Sequence, residues 1–281
     1  MGTVVTKPRG DSAQALIGHG AVERAVEIWP KRDSNLSQDL VADETAVALV
    51  YNGVSHAVMM ASPVQLEAFA RGFSLSEGIV SSIQDIYEIQ VAHLDEGIEV
   101  ALTISSECFA KLKTRRRNLT GRTGCGLCGV ESLQQVRLPL SKVQVEHSLS
   151  HIAIDHATRS LSDHQPLQSL TGAIHGAAWC DLDGNILQVC EDVGRHNALD
   201  KLIGLRWQQG QLGEEGFLLI SSRASYEILQ KSAVAGIGFV VALSAPTSLA
   251  IELANQASIT LVGFSRENRH IGYANTQRLL P

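Results

Sequence analysis

Residues 173–205 read AIHGAAWCDLDGNILQVCEDVGRHNALDKLIGL. Two apolar runs, 173–179 and 186–191, flank the turn-forming cluster Asp181-Leu182-Asp183-Gly184 and predict a hairpin. Between Arg195 and Leu205 the apolar residues recur at helical spacing. Downstream the pattern alternates: strand at 217–221, helix at 225–235, strand at 237–243, helix at 248–256, strand at 259–264. Upstream, residues 150–162 predict a helix that buries Ile154, Ala157 and Leu161. Strands alternating with helices need crossover connections, so the sheet of this α/β domain, residues 134–281, should be mixed but largely parallel after its first hairpin.

The element order resembles the cytidine-deaminase-like fold. In active deaminases the helix after the hairpin opens with H-x-E and the next with P-C-x-x-C, which together hold zinc and a catalytic glutamate. Here the first position reads His196-Asn197-Ala198 and the second Ser222-Arg223-Ala224-Ser225. An alanine replaces the general acid/base and both thiols are missing, so neither zinc nor deamination is expected. Arg195, His196, Ser222 and Arg223 stand there instead, at two strand-to-helix junctions on the carboxyl edge of the predicted sheet. Free N–H groups at helix starts and guanidinium forks suit phosphate, and ligands of open α/β sheets bind at that edge. After the last strand, Phe264, Ser265, Arg266, Glu267, Asn268 and Arg269 add two arginines and an aromatic ring. The expectation is a pocket for a polyanion, a nucleotide with a pyrophosphate. By default Lys201 and Lys231 are solvated, Glu191 and Asp192 complement the dipole of the helix they precede, and His156 and His175 are structural.

Residues 1–43 read as a polar, disorder-prone lead-in with Pro8, Pro30 and one early strand near 26–29. Residues 45–60 alternate and break at Asn52-Gly53, a strong hairpin signal. Ser62 and Pro63 read as N-cap and first residue of a helix burying Leu66, Phe69, Ala70 and Phe73. A second hairpin joins 87–91 to 98–104 around Asp95-Glu96-Gly97, and a helix over 106–119 follows. Two hairpins and two helices make a smaller α+β domain, 44–133, ending in KLKTRRRNLTGRTGCGLCGVE, residues 111–131.

That segment holds Cys125 and Cys128 in C-x-x-C spacing, framed by Gly121, Gly124, Gly126 and Gly129. Lys111, Lys113, Arg115, Arg116, Arg117 and Arg122 precede them. Nearby positive charge stabilises a thiolate, the form that attacks sulfur. A lone C-x-x-C also serves as half a zinc site or as a thioredoxin-like pair. Zinc needs two further ligands, and only His147 and His151 are near in sequence. A thioredoxin pair wants a helix start after a strand, so sulfur or redox chemistry is the stronger reading. The whole chain carries a net charge of −6, which makes the basic run a local anion or partner site and argues against nucleic acid. Cys108, Cys180 and Cys190 are scattered among apolar residues and read as buried, without a disulfide framework. No apolar run reaches membrane-spanning length and no signal core opens the chain, so a cytoplasmic location is expected.

The strings GRTGCGLCGVE, EDVGRHNALDKL, SSRASYEILQKSA and TLVGFSRENR, with VALVYNG, MMASP and GFSLSEGI upstream, closely resemble the FdhD family from Val47 to the C-terminus. The resemblance implies a sulfur carrier protein required for formate dehydrogenase activity. Such a sulfurtransferase accepts sulfur as a persulfide from a cysteine desulfurase. It passes the sulfur to the molybdenum cofactor before insertion into formate dehydrogenase. The resemblance also implies that Cys125 bears the persulfide. Cys128 would relay the sulfur, or expel it as sulfide while a disulfide forms. Phe264, Ser265, Arg266, Glu267, Asn268 and Arg269 would bind the bis(molybdopterin guanine dinucleotide) form, Mo-bis-MGD, as cargo through its guanine nucleotide portion. Ser265, Glu267 and Asn268 depart from the family pattern, so backbone contacts there carry over better than side-chain ones. A second class, a non-catalytic cofactor-binding assembly chaperone, stays open, as does a homodimer.

Overall fold

The computed structural model describes residues 20–29, 37–120 and 141–281. Cys125, Cys128, Arg122 and the glycines around them lie outside the described residues, and so do the side chains of Arg115, Arg116 and Arg117. The lead-in is ordered where described: β1 (Ala21–Val26) pairs antiparallel with β2 (Ser37–Ala42), and Ala21 is fully buried in a cluster with Leu167 and Ile174. The strand thus falls ahead of the predicted 26–29, and Ile28 and Trp29 stand exposed beyond its end. Glu23 and Arg24 interrupt the apolar alternation that would have marked it.

Asn52 and Gly53 take φ of 46° and 78°, the left-handed pair that a two-residue hairpin turn requires. They join β3 (Thr45–Tyr51) to β4 (Val54–Ala61). β5 (Ile86–Leu94) and β6 (Gly97–Ile104) form the second predicted hairpin, and β6 runs parallel to β3, giving the order β4-β3-β6-β5. α1 (Leu66–Ser76) buries Leu66, Phe69, Ala70 and Phe73 against this sheet, each worth about 1.5–3 kcal/mol if large and fully covered. Ser62 does not cap it. The N-cap position is Gln65, while the Ser62 hydroxyl accepts from the Val193 N–H and its carbonyl accepts from Lys201. α2 (Ser106–Thr120) leaves β6 as expected.

The second sheet has the order β13-β12-β11-β10-β8-β9. Its strands are β8 (His175–Cys180), β9 (Ile186–Asp192), β10 (Phe217–Ile220), β11 (Phe239–Ala242), β12 (Thr260–Arg266) and β13 (Arg269–Ala274). β7 (Leu149–Ser150) pairs with β14 (Leu279–Leu280) alongside. Between the strands lie α3 (His151–Ser160), α4 (Pro166–Thr171), α5 (Arg195–Gln208), α6 (Tyr226–Val234) and α7 (Ser248–Gln256). Only β10, β11 and β12 are mutually parallel; β8 with β9, β8 with β10, and β12 with β13 are antiparallel. The sheet is mixed more than expected because the chain folds back after β12, with Phe264 and Asn268 at φ of 50° and 56°. Trp179, Leu218, Ile220 and Val240 share one core with α5, α6 and α7, whereas Cys180, Phe217, Leu219 and Val241 share another with α3. Three layers result, in the deaminase-like order.

The two domains meet where α1 crosses α5. A Cβ on Gly72 would lie 1.8 Å from the Asp200 carbonyl oxygen, and one on Gly204 would lie 1.9 Å from that of Ala68, so the backbones touch. α5 is consequently covered on nearly every side, which leaves Lys201 no solvated face. Both expected surface lysines are buried. Lys201 pairs with Asp192 at 2.6 Å, and Lys231 on α6 pairs with Asp200 at 2.9 Å and with Glu77, just past α1, at 2.8 Å. Gly72→Ala should lower stability by about 1–3 kcal/mol or more, since overpacking forces a backbone shift. Gly213→Ala, where a Cβ meets nothing within 4 Å, should leave the urea midpoint unchanged. Equal midpoints for the two variants would contradict the contact.

Candidate functional site

β9 and β10 end on the same edge of the second sheet, where β8 begins. A cleft of about 710 Å³ opens there. His175, Ser221 and Leu243 line it from the sheet, and Thr158, Gln165 and Gln168 from the α3–α4 side. Among the described residues His175 is the sole titratable one in its lining, and these residues make the cleft polar but nearly neutral. The Ser221 hydroxyl accepts from the Gly176 N–H at 2.9 Å, and the Gln168 Oε1 accepts from the Ile174 N–H at 2.7 Å.

Gln165 is 4% exposed, and its Nε2 has no hydrogen-bond partner. The amide fits only because residue 176 is glycine: a Cβ there would come within 2.3 Å of Nε2. A buried donor without a partner costs about 1–3 kcal/mol, and the amide is held tightly against Gly176 at the cleft wall. His175, read from sequence as merely structural, lines the cleft; burial, then the neighbouring Arg195, pushes its pKa below the ordinary value.

The two predicted helix starts flank this edge. Gly194 and Ser225 occupy the N-cap positions of α5 and α6, and neither side chain caps its helix. In contrast, the hydroxyls of Ser150 and Thr247 cap α3 and α7. His196 is engaged: its Nε2 lies 2.8 Å from Glu227 and 3.3 Å from the Ser225 hydroxyl. The Arg195 Nε is buried and unpartnered, Arg223 is exposed, and the buried Ser222 donates its hydroxyl to the Arg223 carbonyl. Glu191 and Asp192 do more than complement a dipole. Glu191 accepts from the N–H groups of Leu167 and Gln168 and so caps α4, an element the sequence reading missed. Asp192 accepts from the Gly194 N–H, the Asn197 amide and the Ser62 N–H, fixing the turn into α5. Ala198, at the position of the deaminase glutamate, is fully buried in the core.

None of residues 264–269 lines the cleft; the segment meets it through two residues that do, Thr158 and Leu243. Ser265 is fully buried, with its hydroxyl 2.7 Å from that of Thr158, and Arg266 donates to the carbonyls of Leu243 and Ser265. Glu267 and Asn268 reach Arg159, and the Asn268 N–H donates to Asp155 at 2.6 Å. Phe264 is 42% exposed and Arg269 is exposed. Cys108, Cys180 and Cys190 are buried as expected, and burial pushes the Cys190 thiol up to about 12.

These features define an α/β protein with two principal sheets, whose second half keeps the deaminase order, exchanges the deaminase chemistry for uncapped helix starts, and opens a neutral cleft beside them. Residues 42–280 match the FdhD/NarQ family, and the chain belongs to it. Over 256 residues it is 54% identical to a protein of Cupriavidus necator named Sulfur carrier protein FdhD, covering 91% of this chain and 88% of that relative. A solved protein of Desulfotalea psychrophila, described as a candidate formate dehydrogenase accessory protein, shares the fold. Its TM-score is 0.71 at 23% identity, over 93% of this chain and 100% of that one. Among the described residues no helix is long and apolar enough to cross a membrane.

The lowered pKa of His175 has a definite sign for stability. A depressed imidazole stabilises the fold above its unfolded value of about 6.5, and that contribution is lost as pH falls through the folded value. Between pH 7.5 and 5.5 the urea midpoint should therefore decline, and His175→Gln should make the decline shallower. An unchanged slope in the variant would show that this imidazole titrates normally.

Proposed function

We propose that the chain is a sulfur carrier protein serving formate dehydrogenase, with Cys125 as the persulfide-bearing thiol. The observation that carries this reading is the 54% identity, across 91% of the chain, to a relative named as a sulfur carrier protein. The Cys125 thiolate attacks the terminal sulfur of a cysteine desulfurase persulfide. A new sulfur–sulfur bond forms on Cys125 as the bond to the desulfurase sulfur breaks, and the desulfurase cysteine leaves as thiolate. Lys111, Lys113, Arg115, Arg116, Arg117 and Arg122 favour the attacking thiolate and suit an acidic partner surface. Cys128 is close enough in sequence to relay the sulfur.

The sulfur's destination is Mo-bis-MGD, bound as cargo in the second domain. The neutral cleft suits a nucleobase, with the Gln165 and Gln168 side chains on its wall. The pyrophosphate then lies toward the uncapped starts of α5 and α6, beside Arg195 and Arg223. Phosphate at His196 has to displace Glu227. The side chains of Ser265, Glu267 and Asn268 serve to hold this segment against α3.

Incubation with a cysteine desulfurase and cysteine should add one sulfur to the intact protein by mass spectrometry, and Cys125→Ser should remove that gain while circular dichroism stays unchanged. A persulfide that persists in the variant would move the chemistry to another thiol, and no persulfide in the parent would favour the chaperone class. Separately, GDP should bind in calorimetry. Gln165→Ala or Arg223→Ala should weaken it on the order of tenfold, the loss of one wall contact or of one hydrogen bond to phosphate. Affinities untouched by both substitutions would place the nucleotide elsewhere.

A further inference from the structure

His151 is the first residue of α3, and His270 lies on β13, the last strand of its sheet. Their Nδ1 atoms face each other 3.1 Å apart. The ring centroids are 4.6 Å apart with planes tilted by 40°, and without an ion one ring can donate to the other through these nitrogens. Both side chains are half-buried and reachable from solvent. The proposed sulfur chemistry makes no use of the pair.

The spacing has a specific chemical meaning. Imidazole nitrogens bind zinc-type ions at about 2.0–2.1 Å, and two such nitrogens 3.1 Å apart subtend about 100° at the ion, close to a tetrahedral angle. A bare pair, by contrast, can hold only one proton between its facing nitrogens. Asp155, one helical turn after His151, is an anion that acts on both rings. Its carboxylate is already committed to the Arg159 Nε at 2.7 Å and to the Asn268 N–H at 2.6 Å. It therefore supplies negative potential without ligating. Among the described residues no third His, Cys, Asp or Glu completes a protein-only ligand set.

We propose that the Nδ1 atoms of His151 and His270 form a two-point site for a borderline divalent transition-metal ion, with water filling its remaining positions. Imidazole ligands select zinc, copper or nickel over magnesium or calcium, which want oxygen. The bound ion joins the start of α3 to β13. It thereby tightens the β12–β13 hairpin onto the helix that also holds it through Thr158–Ser265 and Arg159–Asn268. With open water positions the site is exchangeable, unlike a closed structural zinc site.

The experiment uses the full-length, untagged chain carrying Cys125→Ser and Cys128→Ser, because those thiols would also take a thiophilic metal. Nickel chloride is titrated by calorimetry, with magnesium chloride as control. One nickel ion should bind per chain, magnesium should not, and His151→Ala and His270→Ala should each weaken nickel at least tenfold. Nickel should also raise the thermal midpoint of the parent and leave that of the His270→Ala chain unmoved, as ligand linkage requires. Circular dichroism checks that each variant is folded, and His270→Gln replaces His270→Ala if that chain is not. No nickel binding below millimolar concentration, or binding that survives both histidine substitutions, would overturn the site.

Discussion

At the crossing of α1 and α5 the two backbones touch through Gly72 and Gly204, and no side chain separates them. Everything polar near that contact has to be satisfied by the protein itself, since water has no room. Lys201 is met by Asp192 and by the carbonyls of Ser62 and Glu191, and Lys231 by Asp200, Glu77 and Ser76. Burial alone would lower the pKa of Lys231, yet Asp200 and Glu77 beside it raise it overall. Each cluster draws groups from both domains. Removing one member of such a cluster leaves an uncompensated buried charge, at about 3–5 kcal/mol. The paired charges and the glycine contact thus sit at one crossing, and a loss at either is felt at both.

The same joint sets the geometry of the cleft edge. Asp192 holds Lys201 with one carboxylate oxygen and, with the other, fixes the Gly194 N–H and the Asn197 amide. The Asn197 amide also reaches the Met60 carbonyl at the end of β4. The turn that presents Arg195 and His196 is therefore positioned by the first domain as much as by the sheet it follows. A polyanion bound there would act on a segment wired directly to the domain whose last helix leads toward Cys125.

Much of this architecture was legible because it rests on local signals. The Asn52-Gly53 turn, the helix over 248–256 and the alternation of strands with helices in the second half are written in residue type and period. What escaped is set by distant partners. Lys201 and Lys231 look like ordinary helix-surface lysines, and only the crossing of α1 with α5 buries them. Ser62 reads as a helix cap until Val193, more than a hundred residues away, takes its hydroxyl. Gln165 carries no motif at all; its place in the cleft depends on a glycine at 176 in a neighbouring strand. Short elements such as α4 and β13 offered too little period to be seen.

The burial of Cys108, Cys180 and Cys190 has a consequence for chemical fidelity. A persulfide is promiscuous: it passes its outer sulfur to any thiolate within reach. A carrier with several competent thiols would scramble its load before delivery. Here three of the five cysteines are sealed in apolar cores, and for Cys180 and Cys190 burial also keeps the thiol protonated, so neither can intercept sulfur. On the proposed persulfide reading, packing thus acts as insulation that would leave the carried sulfur to Cys125 and Cys128, three residues apart.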